Sequence, residues 1–184
     1  DSRVNSYEIF VNQKQTHIRN SRGVDVTFSG FDCEIEVVTN SRKDDHEIEI
    51  YKDLRFSDKS AEKIIAEVRG MFHTGRQRLN AVPTLQNEHA DVLLTGNAVG
   101  SFFQYFAMHT NASYQYMGVA KAKIGEAITG ADADPLNIRL VPTLDGSAKN
   151  APYDETGMPV AERVLFENGI CRSYWGSLQH AHYI

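Results

Sequence analysis

The sequence predicts an α+β fold: an antiparallel β meander plus a helix, followed by a β-rich part entered through a strand–helix junction. Three observations carry this. Apolar and polar residues alternate over residues 24–28, 33–38 and 46–51, the period of strands with one polar face. Ile64, Val68, Met71, Phe72 and Leu79 then recur at helical spacing, and Ile65 widens the stripe. Finally, Glu167-Asn168-Gly169 lies between two extended runs, and Asn-Gly in that setting is a strong hairpin signal.

Taken in order, residues 7–11 and 16–19 read as short extended runs. Asn20-Ser21-Arg22-Gly23 is a turn, because Asn and Gly tolerate positive φ. The runs 24–28, 33–38 and 46–51 complete the meander, and residues 39–45 are turn-like. Asp58 and Ser60 are N-cap candidates for the helix. Pro83, within Asn80-Ala81-Val82-Pro83-Thr84, ends it. The polar stretch 84–90 is a connector and the expected boundary: 1–84 as the end of an N-terminal α+β domain, 85–184 as the start of a C-terminal β-rich domain.

Beyond it, residues 91–95 read as a strand and 98–109 as an aromatic-rich helix. Residues 117–128 form a second helix or an irregular segment. Strands are expected over 136–141, 161–166 and 170–175, with a polar loop over 145–159. Pro135 and Pro142 flank the first of these strands.

Composition bounds the function. The chain has 184 residues, 41% apolar and 23% charged, with a net charge of −5. Such a balance argues against nucleic acid, which needs a clustered basic face. No run approaches the roughly 20 apolar residues of a membrane span, and the start lacks a signal-peptide core. Two widely spaced cysteines, Cys33 and Cys171, make neither a zinc pattern nor a disulfide framework. They read as reduced thiols in a cytoplasmic protein.

Motifs with chemistry are sparse. His180 and His182, two apart, would point the same way on a strand; they read as exposed imidazoles rather than a metal pair. His109 reads as a helix C-terminal histidine interacting with the dipole. Asp132, Asp134, Asp145, Asp154 and Glu155 fit no calcium loop and read as solvated loop acids. No Gly-x-Ser-x-Gly elbow and no phosphate loop is present. Phe102, Phe103 and Phe106 share one face and read as core. Tyr105, Tyr114 and Tyr116 are the candidates for peptide or subunit contact, since aromatics are enriched at such surfaces.

Four segments in order resemble the TldD/PmbA family, also called peptide maturation proteins or modulators of DNA gyrase. They are Asn20-Ser21-Arg22-Gly23 with the strand after it, the junction from Leu93 to Ser101, Lys123-Ile124-Gly125-Glu126, and Asp154-Glu155-Thr156-Gly157 followed by Arg163 to Ile170. The spacing agrees across nearly the whole chain, which resembles an internal piece of a longer family chain.

The resemblance implies two kinds of member. The TldD kind carries His-Glu-x-x-x-His at the junction, two imidazoles one turn apart with a Glu as general base toward a metal-bound water. A further Cys ligand lies downstream. The PmbA (TldE) kind lacks the motif. Here the six positions read Gly96-Asn97-Ala98-Val99-Gly100-Ser101: Gly96 and Ser101 stand for the two His, and Asn97 stands for the Glu. The resemblance therefore implies a PmbA/TldE-like pseudoenzyme, with no cofactor, inactive alone. Its partner would be a TldD-like metallopeptidase homologue or a second copy of itself, and its substrate a peptide. Two alternatives stay open: a divergent metallopeptidase with ligands outside this segment, and a stand-alone peptide-binding module. Replacing Gly96, Asn97 and Ser101 by His, Glu and His is expected to restore zinc binding in part.

Overall fold

The computed structural model describes residues 1–57, 60–84, 86 and 89–184. The chain divides into two compact units, Asp1–Asn87 with Thr143–Pro152, and Glu88–Pro142 with Tyr153–Ile184.

The first unit is a three-stranded antiparallel meander, β1 (Ser2–Arg19), β2 (Asp25–Lys43) and β3 (His46–Phe56), under one helix, α1 (Ala61–Arg78). The strands are longer than the sequence suggests. Residues 7–11 and 16–19 belong to one strand, and so do 25–28 and 33–38, with Val24 just before the strand. Ser29 and Gly30 look like a break, yet both pair in register with Gln15 and Lys14. The alternation at 33–38 continues through Ser41, so the strand takes up most of the expected 39–45 turn. Only Asp44 and Asp45 turn, with Asp44 at φ 54°. At the other end Asn20 makes the expected turn, its side chain accepting from Arg22 N and Val24 N.

The core of this unit is Cys33, Ile35, Val37 and Met71, with Ile50, Leu54, Ile64 and Val68 packed against it. Full burial of Ile35, Val37 or Met71 contributes about 1.5–3 kcal/mol each, and the partly buried side chains contribute less. Ile64, Val68 and Met71 are the predicted stripe; Ile65 instead faces solvent. Ser60 caps α1, its hydroxyl accepting from Lys63 N. The other N-cap candidate, Asp58, lies outside the described residues, as does part of the expected connector. The segment Thr143–Pro152 belongs to this unit through Ser57 N–H, which donates to Gly146 O (3.3 Å).

The second unit holds α2 (Asn97–His109), α3 (Ala112–Tyr116), the short strands β4 (Ile138–Leu140), β5 (Arg163–Glu167) and β6 (Ile170–Cys171), and α4 (Leu178–Ala181). Its core is Ala122, Leu136, Leu165, Phe166 and Cys171. The β5–β6 turn is the predicted hairpin: Asn168 and Gly169 have φ of 50° and 78°, the double positive φ of a type I′ turn.

Several expectations are corrected here. Residues 91–95 are not a strand, because they make no ladder with any described residue, and Leu93 is 90% exposed. Of the two forms expected for residues 117–128, the irregular one is found, and the segment contains no helix. The strand expected over 170–175 stops at Cys171; beyond it Trp175 makes only a single bridge to Asn111. Residues 180 and 182 are not on a strand. His180 lies in α4 and His182 caps it, so the two rings diverge around a helix axis.

Candidate functional site

The junction at the start of α2 is the first place to look. Gly96 is the N-cap, with φ 56° and ψ −133°, and no side chain caps the helix. That backbone geometry suits glycine and strains any residue with a Cβ. Asn97 opens the helix. The Ser101 hydroxyl is committed to its own helix, donating to Asn97 O at 3.2 Å. Gly96 brings no donor atom, Asn97 cannot take a proton at neutral pH, and Ser101 is occupied. These three positions do not fit a zinc ion, whose ligands are imidazole, thiolate or carboxylate. Gly96 also stands outside the helix and five residues from Ser101. At 100° per residue, positions five apart do not share a face. The expectation of two imidazoles stacked one turn apart is corrected accordingly. Among the described residues, no group of three or more His, Cys, Asp or Glu gathers where it could hold a metal.

The other end of α2 is more organised. His109, its last residue, is buried. Its Nδ1 accepts the N–H of Lys121 at 3.2 Å, which places the ring proton on Nε2. Tyr105 and Tyr114 meet it edge-on, with centroids 4.5 and 6.0 Å away. The Lys121 ammonium stands 5.8 Å from the Tyr105 centroid, within cation–π range. Burial, and then the Lys121 charge, push the His109 pKa below the usual histidine value. His109 is therefore held neutral, as an acceptor, and does not serve as a cation on the helix dipole. Gln115 Nε2 closes the corner by donating to His109 O and Ala122 O.

The remaining aromatics divide differently from expectation. Phe106 packs on the core beside Phe166, 6.4 Å between centroids. Phe102 and Phe103 are exposed, which corrects their assignment to the core. Tyr105 and Tyr116 are exposed and Tyr114 is half-buried. Tyr116 meets Tyr183 at 5.4 Å and His180 at 5.9 Å.

An open cavity of about 560 Å³ lies nearby, lined by Ala112, Leu140, Val160, Arg163, Tyr174 and Trp175 among others. Its lining is mostly apolar. Asp154 reaches it, but its carboxylate accepts from Thr156 N and Oγ1 and from Met158 N. Burial alone would raise the Asp154 pKa; these hydrogen bonds overcome that and lower it. Asp154 thus stays ionised as a loop staple. Trp175 fixes the floor: its Nε1 donates to Ala107 O at 2.8 Å, and its backbone pairs with Thr110 O and Ala112 N. Gly176 passes so close to Ala112 that a Cβ there would sit 2.8 Å from the Ala112 Cβ. Tyr174 and Trp175 fall at the end of the strand expected over 170–175, where nothing in their position alone marks a cavity wall. The signal was there, since Trp175 is the chain's single tryptophan and a buried indole N–H needs a partner.

Residues 87–184 match the PmbA/TldA metallopeptidase C-terminal domain. The chain belongs to the PmbA/TldA metallopeptidase family. TldE from Thermococcus kodakarensis has a similar fold, with a TM-score of 0.68 at 19% identity. That similarity covers 93% of this chain and 38% of the TldE chain, so the present chain spans well under half of that PmbA/TldA-type structure. No curated protein matches. In this PmbA/TldA chain no described helix is long and apolar enough to cross a membrane.

Proposed function

We propose that this chain is the non-catalytic, PmbA/TldE-like member of a two-component peptidase system. It pairs with a TldD-like homologue bearing His-Glu-x-x-x-His and encloses the space in which that partner cleaves unfolded or precursor peptides in the cytoplasm. The observation that supports this best is the junction itself: Gly96, Asn97 and Ser101 occupy the motif positions, and Gly96 has a backbone that disfavours a side chain. The contact surface on this side is the aromatic corner of Tyr105, Tyr114 and Tyr116, whose rings present area at low entropic cost. The neutral imidazole of His109 has no nucleophile or acid in hydrogen-bond contact among the described residues, which supports binding rather than hydrolysis.

The test uses the purified protein alone and mixed with a motif-bearing homologue. Alone it should carry no stoichiometric zinc and cleave no unfolded peptide. Mixed, the two should co-elute, and peptidase activity should exceed that of the homologue by itself. About one zinc per chain with chelator-sensitive cleavage by this protein alone would establish the divergent-peptidase reading instead.

A further inference from the structure

Residues 118–123 form a strap between α3 and the core of the second unit. The strap is neither helix nor strand, yet Ala122 within it is buried. Both its ends are fixed. Met117 N–H donates to Ser113 O as α3 closes, and beyond the strap Gly125 N–H donates to Cys171 O and Cys171 N–H to Glu126 O. Between these ends it rests on few bonds. Val119 N–H and Ala120 N–H both donate to Tyr114 O, at 3.1 and 3.2 Å. Gln115 Nε2 and the Tyr174 hydroxyl both donate to Ala122 O, at 2.8 and 3.4 Å. Lys121 N–H differs from the other two strap N–H groups: its acceptor is a side chain, the Nδ1 of His109 at 3.2 Å.

His109 is the member of this set that changes charge between pH 5 and 8. A ring nitrogen accepts only while it carries no proton. Protonation turns Nδ1 into a donor aimed at the Lys121 N–H, and two donors share no bond. Turning the ring over brings Cδ2 to the same place and recovers nothing. The surroundings give the new charge no partner. The titratable and charged groups that face the ring are Tyr105 of α2, Tyr114 of α3 and the ammonium of Lys121 on the strap itself. Two are phenols and the third is a cation, so a buried imidazolium here stands unpaired, which is costly.

We propose that His109 is an acid-released latch on residues 118–123. At neutral pH its Nδ1 holds the strap closed against the α2–α3 corner; protonation releases Lys121 N–H and opens the strap while the rest of the unit stays folded. The fixed ends at Met117 and Gly125 confine the motion to the residues between them. Burial and the Lys121 charge hold the His109 pKa below the usual value in the closed form. Between that value and the open one, the open form carries one more proton, so the opening constant rises about tenfold per pH unit of acidification. Tyr105 and Tyr114 pack on the same ring, so the contact corner proposed above loses order at the same pH. That consequence rests on the proposed function; the latch does not.

Amide hydrogen exchange followed by NMR on the full chain, expressed as protection relative to the unstructured rate at each pH, tests the latch. From pH 8 to pH 5 the protection of the Lys121 amide should fall about tenfold or more. The Gly125 and Cys171 amides, which close the fixed end, should keep theirs. At pH 8 the ¹⁵N spectrum of the His109 ring should show Nδ1 bare and Nε2 protonated. His109→Asn sets Oδ1 where Nδ1 stands and takes no proton, so it should keep Lys121 protected at both pH values. His109→Leu removes the acceptor and should leave Lys121 unprotected at both. Unchanged Lys121 protection at pH 5, or the same fall in His109→Asn, overturns the latch. A parallel fall at Gly125 and Cys171 means that the whole unit unfolds, and overturns it too. The pH comparison of the unaltered chain decides without any variant. None of these outcomes bears on Gly96, Asn97 and Ser101, so the latch and the proposed function fail separately.

Discussion

Gly75 of α1 presses against Ser41 of β2 so closely that a Cβ on Gly75 would lie 2.4 Å from the Ser41 hydroxyl oxygen and 2.9 Å from its Cβ. The Ser41 hydroxyl is held there by Ser2 Oγ, 2.9 Å away. Glycine in mid-helix otherwise costs about 1 kcal/mol relative to alanine, so the contact gives the glycine its reason. Gly75→Ala gains that propensity and loses more to overpacking, about 1–3 kcal/mol in a tight core. A net loss of up to about 2 kcal/mol is expected in urea melts followed by circular dichroism. Ser41→Gly in the same chain should make the two changes non-additive by about 1 kcal/mol.

The Asn168-Gly169 turn is constrained twice. Its φ angles demand glycine or asparagine, and a Cβ on Gly169 would also fall 2.4 Å from Thr129 Oγ1. Gly169→Val should cost about 1–3 kcal/mol. Thr129→Ala should recover only the collision and leave the backbone strain. A loss below about 0.5 kcal/mol would show that the turn is of another type.

His109 gives the second unit a pH dependence. Its pKa is depressed in the fold by burial and by Lys121. Between the folded and unfolded values the unfolded chain binds more protons, so stability rises with pH. The contribution is complete above the unfolded value of about 6.5 and is lost as pH falls through the folded value. Melts between pH 5 and 8 followed by Trp175 fluorescence should show this slope, and His109→Gln should flatten it.

The triple substitution Gly96→His, Asn97→Glu, Ser101→His should fail to bind zinc stoichiometrically in titration calorimetry. A side chain at φ 56°, ψ −133° is strained by about 1–3 kcal/mol, and two imidazoles five residues apart diverge around the helix. Tight one-to-one binding would mean that the helix start rearranges.

Patterns that depend on neighbours in sequence were readable. Cys33, Ile35 and Val37 alternate because one sheet face meets α1. Ile64, Val68 and Met71 recur because one helix face meets it. Asn168-Gly169 declares its turn locally. What needed the third dimension was missed. Residues 91–95 have strand composition but no partner, and a strand is defined by its ladder. The short helices α3 and α4 rest on single caps, Asn111 and Ser177, and are too brief for periodicity. At the candidate site, the motif positions could be located from residue types alone. The backbone at Gly96, the neutral state of His109 and the floor made by Trp175 depend on φ, burial and contacts 68 residues apart.

The two units are threaded through each other along the chain. The first takes its last segment, Thr143–Pro152, from beyond most of the second, and the second resumes at Tyr153. During synthesis the meander therefore waits for Gly146 to leave the ribosome before Ser57 N–H finds its acceptor. A cut at the boundary expected near residue 84 would release two pieces, the first of which lacks that segment. Separate expression of the halves is thus a poor route to either unit, whereas a permuted chain that joins 143–152 directly to the meander would test whether the first unit folds by itself.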